Sequence, residues 1–301
     1  MNRIINNLLK YKYFYIMIFP VIAWYIIFCY IPMYGIITAF QDYNMNKGNF
    51  GSEFVGLKHF LILFKDADFW GAFRNNVIIA FYRLVTAFPI PIILALILNE
   101  VKGLKFKKTV QTVIYLPHFI SWVIVASVVI VVLNTENGLI ATLYNAMGKE
   151  VPYIMSDPKA FRSVLIWSDI WKEAGWGTII YMAAIAGIDV SLYEAAIVDG
   201  AGRWKQMWHI TLSGIRNVVV IMLILTVGSI LNWGFDQVYN LYNPLVYETG
   251  DIIDTYIFRT ALADNKLSYA AAAGLFKSLL CVVLLVGSNK IANLLNEEGI
   301  Y

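Results

Sequence analysis

The chain has 301 residues, 59% hydrophobic and 14% charged, with a net charge of +3. Soluble domains carry about a quarter charged residues, so an ordinary soluble protein is excluded, and so small a net charge gives no ground for a nucleic-acid partner. The mean hydropathy of +0.65 points to one membrane domain over 1–301.

A helix needs about 20 apolar residues to cross the hydrocarbon core. Six stretches qualify, near 14–40, 75–98, 110–133, 161–187, 216–234 and 268–293. The first follows Arg3, Lys10 and Lys12 like a signal peptide. It is too long for one, and Cys29-Tyr-Ile-Pro is a poor cleavage site, so it reads as an uncleaved span. Loops 41–74, 134–160 and 235–267 hold turn formers such as Tyr43-Asn-Met-Asn-Lys-Gly48 and predict short helices and turns. The result is an all-α, polytopic chain with both termini on one side. The KGLKFKK run at 102–108 and the other inner Lys and Arg residues place that side in the cytoplasm. Tyr269–Gly274, rich in alanine, suits close helix packing.

Catalytic signatures are missing. There is no G-x-x-x-x-G-K-[ST], H-E-x-x-H, paired-cysteine motif or G-x-S-x-G. The histidines are scattered, and Cys29 and Cys281 both sit in apolar stretches. The sequence therefore predicts no catalytic residue, no metal site and no cofactor in this chain.

The inner loop 191–213, SLYEAAIVDGAGRWKQMWHITLS, is unusual. Ser191 and Glu194 have capping-box spacing and predict a helix from Leu192. Asp199-Gly200-Ala201-Gly202 breaks it. A second helix resumes at Arg203, with Trp204, Met207, Trp208 and Thr211 spaced to share a face. On physical grounds alone, such an apolar face suits a membrane surface and a protein socket equally.

The run Glu194-Ala195-Ala196, Asp199-Gly200-Ala201, Ile210-Thr211-Leu212 resembles the EAA loop of ABC importer permeases. It is most similar to the binding-protein-dependent carbohydrate branch that includes the maltose permeases. IWKEAGWGTIIYMAAIAGID (170–189) and Tyr269–Gly274 are similar to that family too. Ser213 stands where the family usually has proline, leaving the loop exit freer. The resemblance implies a type I importer permease fold in a prokaryotic cytoplasmic membrane. It also implies that the loop docks on a separate ATPase, two copies of which hold ATP and Mg. A second, different permease would complete a heterodimer, and a solute-binding protein would deliver an oligosaccharide. Glu194 would pair with a basic ATPase residue and Gly200 would supply the bend. Trp204, Met207 and Trp208 would be apolar anchors.

Ionisable residues within spans are costly and usually functional or paired. The fourth span carries Asp169, Lys172 and Glu173 among Trp167, Trp171 and Trp176. The resemblance places Trp171, Lys172, Glu173 and Trp176 where maltose-type permeases contact sugar. Lys172 would then suit an acidic sugar, such as a uronate-containing oligosaccharide. The alternative is a structural pair, Lys172 with Asp169 or Glu173 with Arg83. Ser229, Asn232 and Asp236 are spaced to share a helix face toward the cavity, and His118 follows Pro117 in a kinked span. Arg83 and Lys277 read as structural pairs or snorkelling residues. The rival readings are an ion-coupled carrier, which leaves the loop unexplained, and a membrane-bound enzyme, for which no catalytic motif is present.

Overall fold

The computed structural model describes residues 10–294; Arg3 of the inner basic set lies outside them. Three helical runs are long and apolar enough to cross a membrane: Lys12–Phe40, Ala67–Glu100 and Leu267–Leu294. Three more pass as bent pairs. Leu104–Phe119 meets Trp122–Val132 at 103°, Pro158–Ala186 meets Val190–Val198 at 71°, and Arg203–Gly214 meets Arg216–Asn232 at 57°. With each pair taken as one span, the six-span helical layout stands.

The third span departs from a simple kink. Pro117 lacks a backbone N–H, Ile120 turns extended (ψ 135°), and Ser121 starts a fresh helix by accepting the Ile124 N–H. The helix Trp122–Val132 has 11 residues, a rise of about 16 Å, so it crosses only part of the bilayer.

Contacts divide the described residues into two compact units: 10–65 with 260–275, and 66–259 with 276–294. The first unit holds a small exception to the all-α reading. Gln41 and Asp42 pair antiparallel with Phe54 and Glu53. A hydrogen bond from Lys58 holds the Asp42 carboxyl below its usual pKa. The Tyr43 N–H donates to Ser268 Oγ at 2.9 Å, tying this loop to the start of the last span. Ala270, Ala272 and Ala273 are buried, in keeping with a close packing seam.

The second unit is built along the fourth span. Pro158–Ala186 runs 29 residues, starting at Asp157, whose carboxylate accepts the Lys159 N–H, and Pro158 at its first turn. Its outer end buries Phe161 and Leu165 against Ile79, Val238, Leu241 and Ile252. Its inner end buries Tyr181 and Ile185 against Ala95, Leu96 and Ile215. Halfway along, Gly175 lets the helix Leu104–Tyr115 cross so closely that a Cβ there would lie 1.8 Å from the Ile114 carbonyl oxygen. The polar residues of the span lie between the two apolar clusters.

Candidate functional site

In mid-span the fourth helix presents Ser168, Asp169 and Lys172, all buried, and Glu173, partly exposed. Three- and four-residue spacing puts them along one stripe, and each charge finds a partner. Arg83, from a wide turn of the second span, brings its Nε within 3.6 Å of Asp169 Oδ2. Arg83 Nη2 donates to Gln237 Oε1. Gln237, wholly buried, donates from Nε2 to the Leu165 carbonyl (2.6 Å) and Ser168 Oγ (2.8 Å). One amide thus joins three segments. The Arg83 guanidinium also lies 5.5 Å from the Trp233 ring centroid.

A second node lies one turn further in. Lys172 Nζ is 3.1 Å from Glu173 Oε1 and donates to the His118 carbonyl at 2.7 Å. His118 Nδ1 is 2.7 Å from Glu173 Oε2, and its ring stacks on Trp176 with centroids 4.4 Å apart. The break at Pro117–Ser121 is what lets His118 reach inward. The pairs differ from both sequence alternatives: Arg83 takes Asp169, and Lys172 takes Glu173. Lys277, from the last span, pairs with Asp254. Buried charges persist only when paired in this way.

Between the second, fourth and fifth spans lies a cavity of about 280 Å³, lined by Arg83, Asp169, Glu173, Trp176, Thr226 and Trp233 among others. Of the residues expected at a sugar site, Glu173 and Trp176 line it. His118 stacks on Trp176, and Lys172 is sealed in its pair. Trp171 belongs elsewhere, to an apolar groove of about 510 Å³ with Val128, Val132 and Trp167. Ser229, Asn232 and Asp236 do not share a helix face. The helix stops at Asn232, Trp233 is extended, Gly234 turns left-handed at φ 102°, and a new helix starts at Phe235. Ser229 spends its hydroxyl on the Leu225 carbonyl, and all three residues are exposed. At Gly234 a Cβ would lie 2.8 Å from Arg83 Nη1, so glycine is required for both the turn and the close approach. The sequence reading missed Thr226, Trp233 and Gln237 and gave Arg83 only a structural role. The signal for Gln237 was its place beside Val238 and one turn before Leu241, both buried.

The inner loop folds as two helices, with a different start. The first is Val190–Val198, and its cap is Asp189, which accepts the Ser191 N–H at 2.9 Å. Asp precedes the helix in extended backbone, so its carboxylate reaches the free N–H groups first and the Ser191–Glu194 box does not form. That bond holds the Asp189 carboxyl below its usual pKa. The helix ends with Gly200 at φ 75°, the Gly200 N–H on the Ile197 carbonyl and the Ala201 N–H on the Ala196 carbonyl. This is a Schellman motif, and it explains Asp199-Gly200-Ala201. The second helix begins at Arg203 and widens over Met207–Thr211. The widening splits the expected face. Trp204 and Trp208 are 79% and 61% exposed, whereas Met207 packs on the inner apolar cluster and Thr211 is buried against the Tyr193 hydroxyl. Glu194 and Ala195 are exposed, Ala196 and Ile210 half-buried, and Ile197 and Val198 stand out beside the tryptophans. With Ser213 the chain stays helical to Gly214.

The profile of the family described as "Binding-protein-dependent transport system inner membrane component" matches residues 87–293. The polygalacturonan/rhamnogalacturonan transport system permease protein YteP of Bacillus subtilis is 46% identical, over 100% of this chain and 94% of its own length. Protein LplB of the same organism is 43% identical over 96% and 91%. A chain of a bacterial alginate ABC transporter, solved in complex with an alginate pentasaccharide-bound periplasmic protein, superposes with a TM-score of 0.90 at 38% identity, covering 98% of this chain and 99% of that one. These likenesses set aside both the ion-coupled carrier and the membrane-bound enzyme. The chain belongs to the inner membrane components of binding-protein-dependent transport systems: it is a multi-pass permease of the cytoplasmic membrane, part of an ABC sugar importer whose ATPase is a separate component.

Proposed function

We propose that this chain forms one half of the membrane passage for an acidic, uronate-containing oligosaccharide. The observation that carries the reading is a pair of near-full-length likenesses, one to a polygalacturonan/rhamnogalacturonan permease and one to an alginate transporter. Galacturonate and the alginate sugars are acidic. The cavity supports it. Trp176 and Trp233 line it with partly exposed indoles, groups that suit the C–H side of a sugar ring, and polar side chains line it for the hydroxyls.

A second, different permease completes the pore, two ATPases supply the energy, and an extracytoplasmic binding protein delivers the sugar. The inner loop is the ATPase contact. Ile197, Val198, Trp204 and Trp208 are its exposed apolar surface, the kind that anchors an interface, and Glu194 is its charged contact. Asp199, Gly200 and Ala201 set the bend, while Ala195, Ala196, Met207 and Ile210 shape the loop behind that surface. ATP closes the ATPases, the loop follows them, and the fourth span shifts the cavity between its two openings.

The test is uptake of a short galacturonate oligomer by cells carrying the complete transporter, with Glu194→Lys plus Gly200→Pro as the variant. The expected result is ATP-dependent uptake by the wild type. The variant should lose uptake and no longer co-purify with the ATPase, while remaining in the membrane at normal amounts. Full uptake and full ATPase association in the variant would overturn the coupling role.

A further inference from the structure

We propose that the cavity reads the hydroxyls of the sugar through Glu173, held in place by Lys172 and His118, and leaves the sugar's carboxylates unread. The inference rests on the reading that the cavity holds the passing oligosaccharide. It assigns Glu173 to direct contact and makes Lys172 and His118 positioning residues.

Among the described residues three Lys or Arg side chains are buried, and each is engaged. Lys172 is 5% exposed, bound to Glu173 Oε1 and to the His118 carbonyl. Arg83 is 3% exposed, set between Asp169 and Gln237. Lys277 is 7% exposed and paired with Asp254. A sugar carboxylate would have to displace an existing anion to reach any of them, inside a low-dielectric site where breaking a buried pair is costly. It would also meet Asp169 and Glu173, two like charges on the same wall.

The wall suits a hydroxyl. Glu173 reaches the cavity with 24% of its side chain exposed, whereas Arg83 and Asp169 are sealed and Thr226 spends its hydroxyl on the Met222 carbonyl. Each of its oxygens already has one fixed partner, Lys172 on Oε1 and His118 on Oε2. A carboxylate has about four lone-pair directions, so each oxygen keeps a second for a hydroxyl donor. Held at both oxygens, it accepts without reorganising. The indoles of Trp176 and Trp233 line the same cavity. An acceptor beside an aromatic face fits a sugar ring whether or not the ring carries a carboxylate. Charge selection then falls to another component of the importer.

The test uses the complete transporter in nanodiscs, without binding protein or ATP, so that the specificity of the binding protein does not enter. A galacturonate trisaccharide and its carboxyl-reduced, neutral counterpart are titrated against it by calorimetry. The two should bind the wild type within about threefold of each other, with the acidic one insensitive to added salt. Glu173→Gln should weaken the neutral trisaccharide by about tenfold, the loss of a charge-assisted hydrogen bond, and the acidic one by less, because it frees Lys172. Lys172→Gln should weaken both by one common factor, leaving their ratio unchanged. Lys172→Gln with Glu173→Gln, and separately Trp233→Leu, should weaken both trisaccharides together, and they keep the test open should Glu173→Gln fail to assemble. An acidic trisaccharide that binds tenfold tighter than the neutral one, and loses that preference in Lys172→Gln, would overturn the inference. Failure of both to bind the wild type at about 10 mM would instead overturn the reading of the cavity as the sugar site, and this inference with it.

Discussion

Gly175→Ala tests the packing on which the polar site depends. The new Cβ would lie 1.8 Å from the Ile114 carbonyl oxygen and 2.4 Å from its carbon. Both are backbone atoms and cannot rotate away, so the fourth span and the helix Leu104–Tyr115 must separate until ordinary contact, 3.4 Å or more, is restored. Overpacking of this kind costs about 1–3 kcal/mol or more, and each kcal/mol lowers the melting point of a chain this size by about 2–4 °C. The separation also carries off His118, which follows that helix and holds Glu173 at 2.7 Å. The purified transporter should therefore melt about 2–12 °C lower, and uptake should fall further than the protein level does. Gly71→Ala is the control. It meets nothing within 4 Å inside Ala67–Tyr82, and alanine favours a helix by up to about 1 kcal/mol, so it should be neutral or stabilising. Normal melting and normal uptake in Gly175→Ala would refute the close crossing.

Two further outcomes are expected. Gln237→Leu removes an amide that serves Arg83, Leu165 and Ser168 with no exposure to solvent. Leaving such groups unpaired should cost about 3 kcal/mol or more, read as a lower melting point of the purified complex. Asp189 titrates below its unfolded value of 3.8 because its carboxylate accepts the Ser191 N–H. A depressed carboxyl contributes stability that is complete above the unfolded value and lost as pH falls through the folded one. Protection of the amides over 190–198, taken as the exchange rate relative to the intrinsic rate at each pH, should therefore be high at neutral pH and fall in acid below that value. Asp189→Ala should show low protection there at neutral pH, with little further change in acid.

Much of the layout was legible because a membrane forces it into the composition. Long apolar runs gave the spans, and Asp199-Gly200-Ala201 marked a helix end that proves to be a Schellman motif. Local chemistry was harder to read wherever two elements competed for it. Ser191 and Glu194 have the right spacing for a cap, but Asp189 is nearer the free N–H groups. Ser229, Asn232 and Asp236 lie on one face only if the helix continues, and Gly234 ends it. Arg83, Asp169 and Gln237 are far apart in sequence, so no periodicity pairs them. Trp171 and Trp176 look alike in sequence, yet five residues of helical rotation send them to different cavities.

The unbroken run from Pro158 to Ala186 has a mechanical consequence. Its 29 residues form a rod about 43 Å long with one end at the inner loop 191–213. A rigid tilt of about 10°, within the range known for subunit rotations, would swing the far end by about 7 Å. Asp169, Glu173 and Trp176 sit on that rod and would travel together, keeping their mutual spacing while their neighbours on other spans are exchanged. If the proposed roles hold, the hydroxyl-reading wall and the coupling loop ride on a single lever, and a chimera that borrows one from a relative should take residues 158–198 as a block.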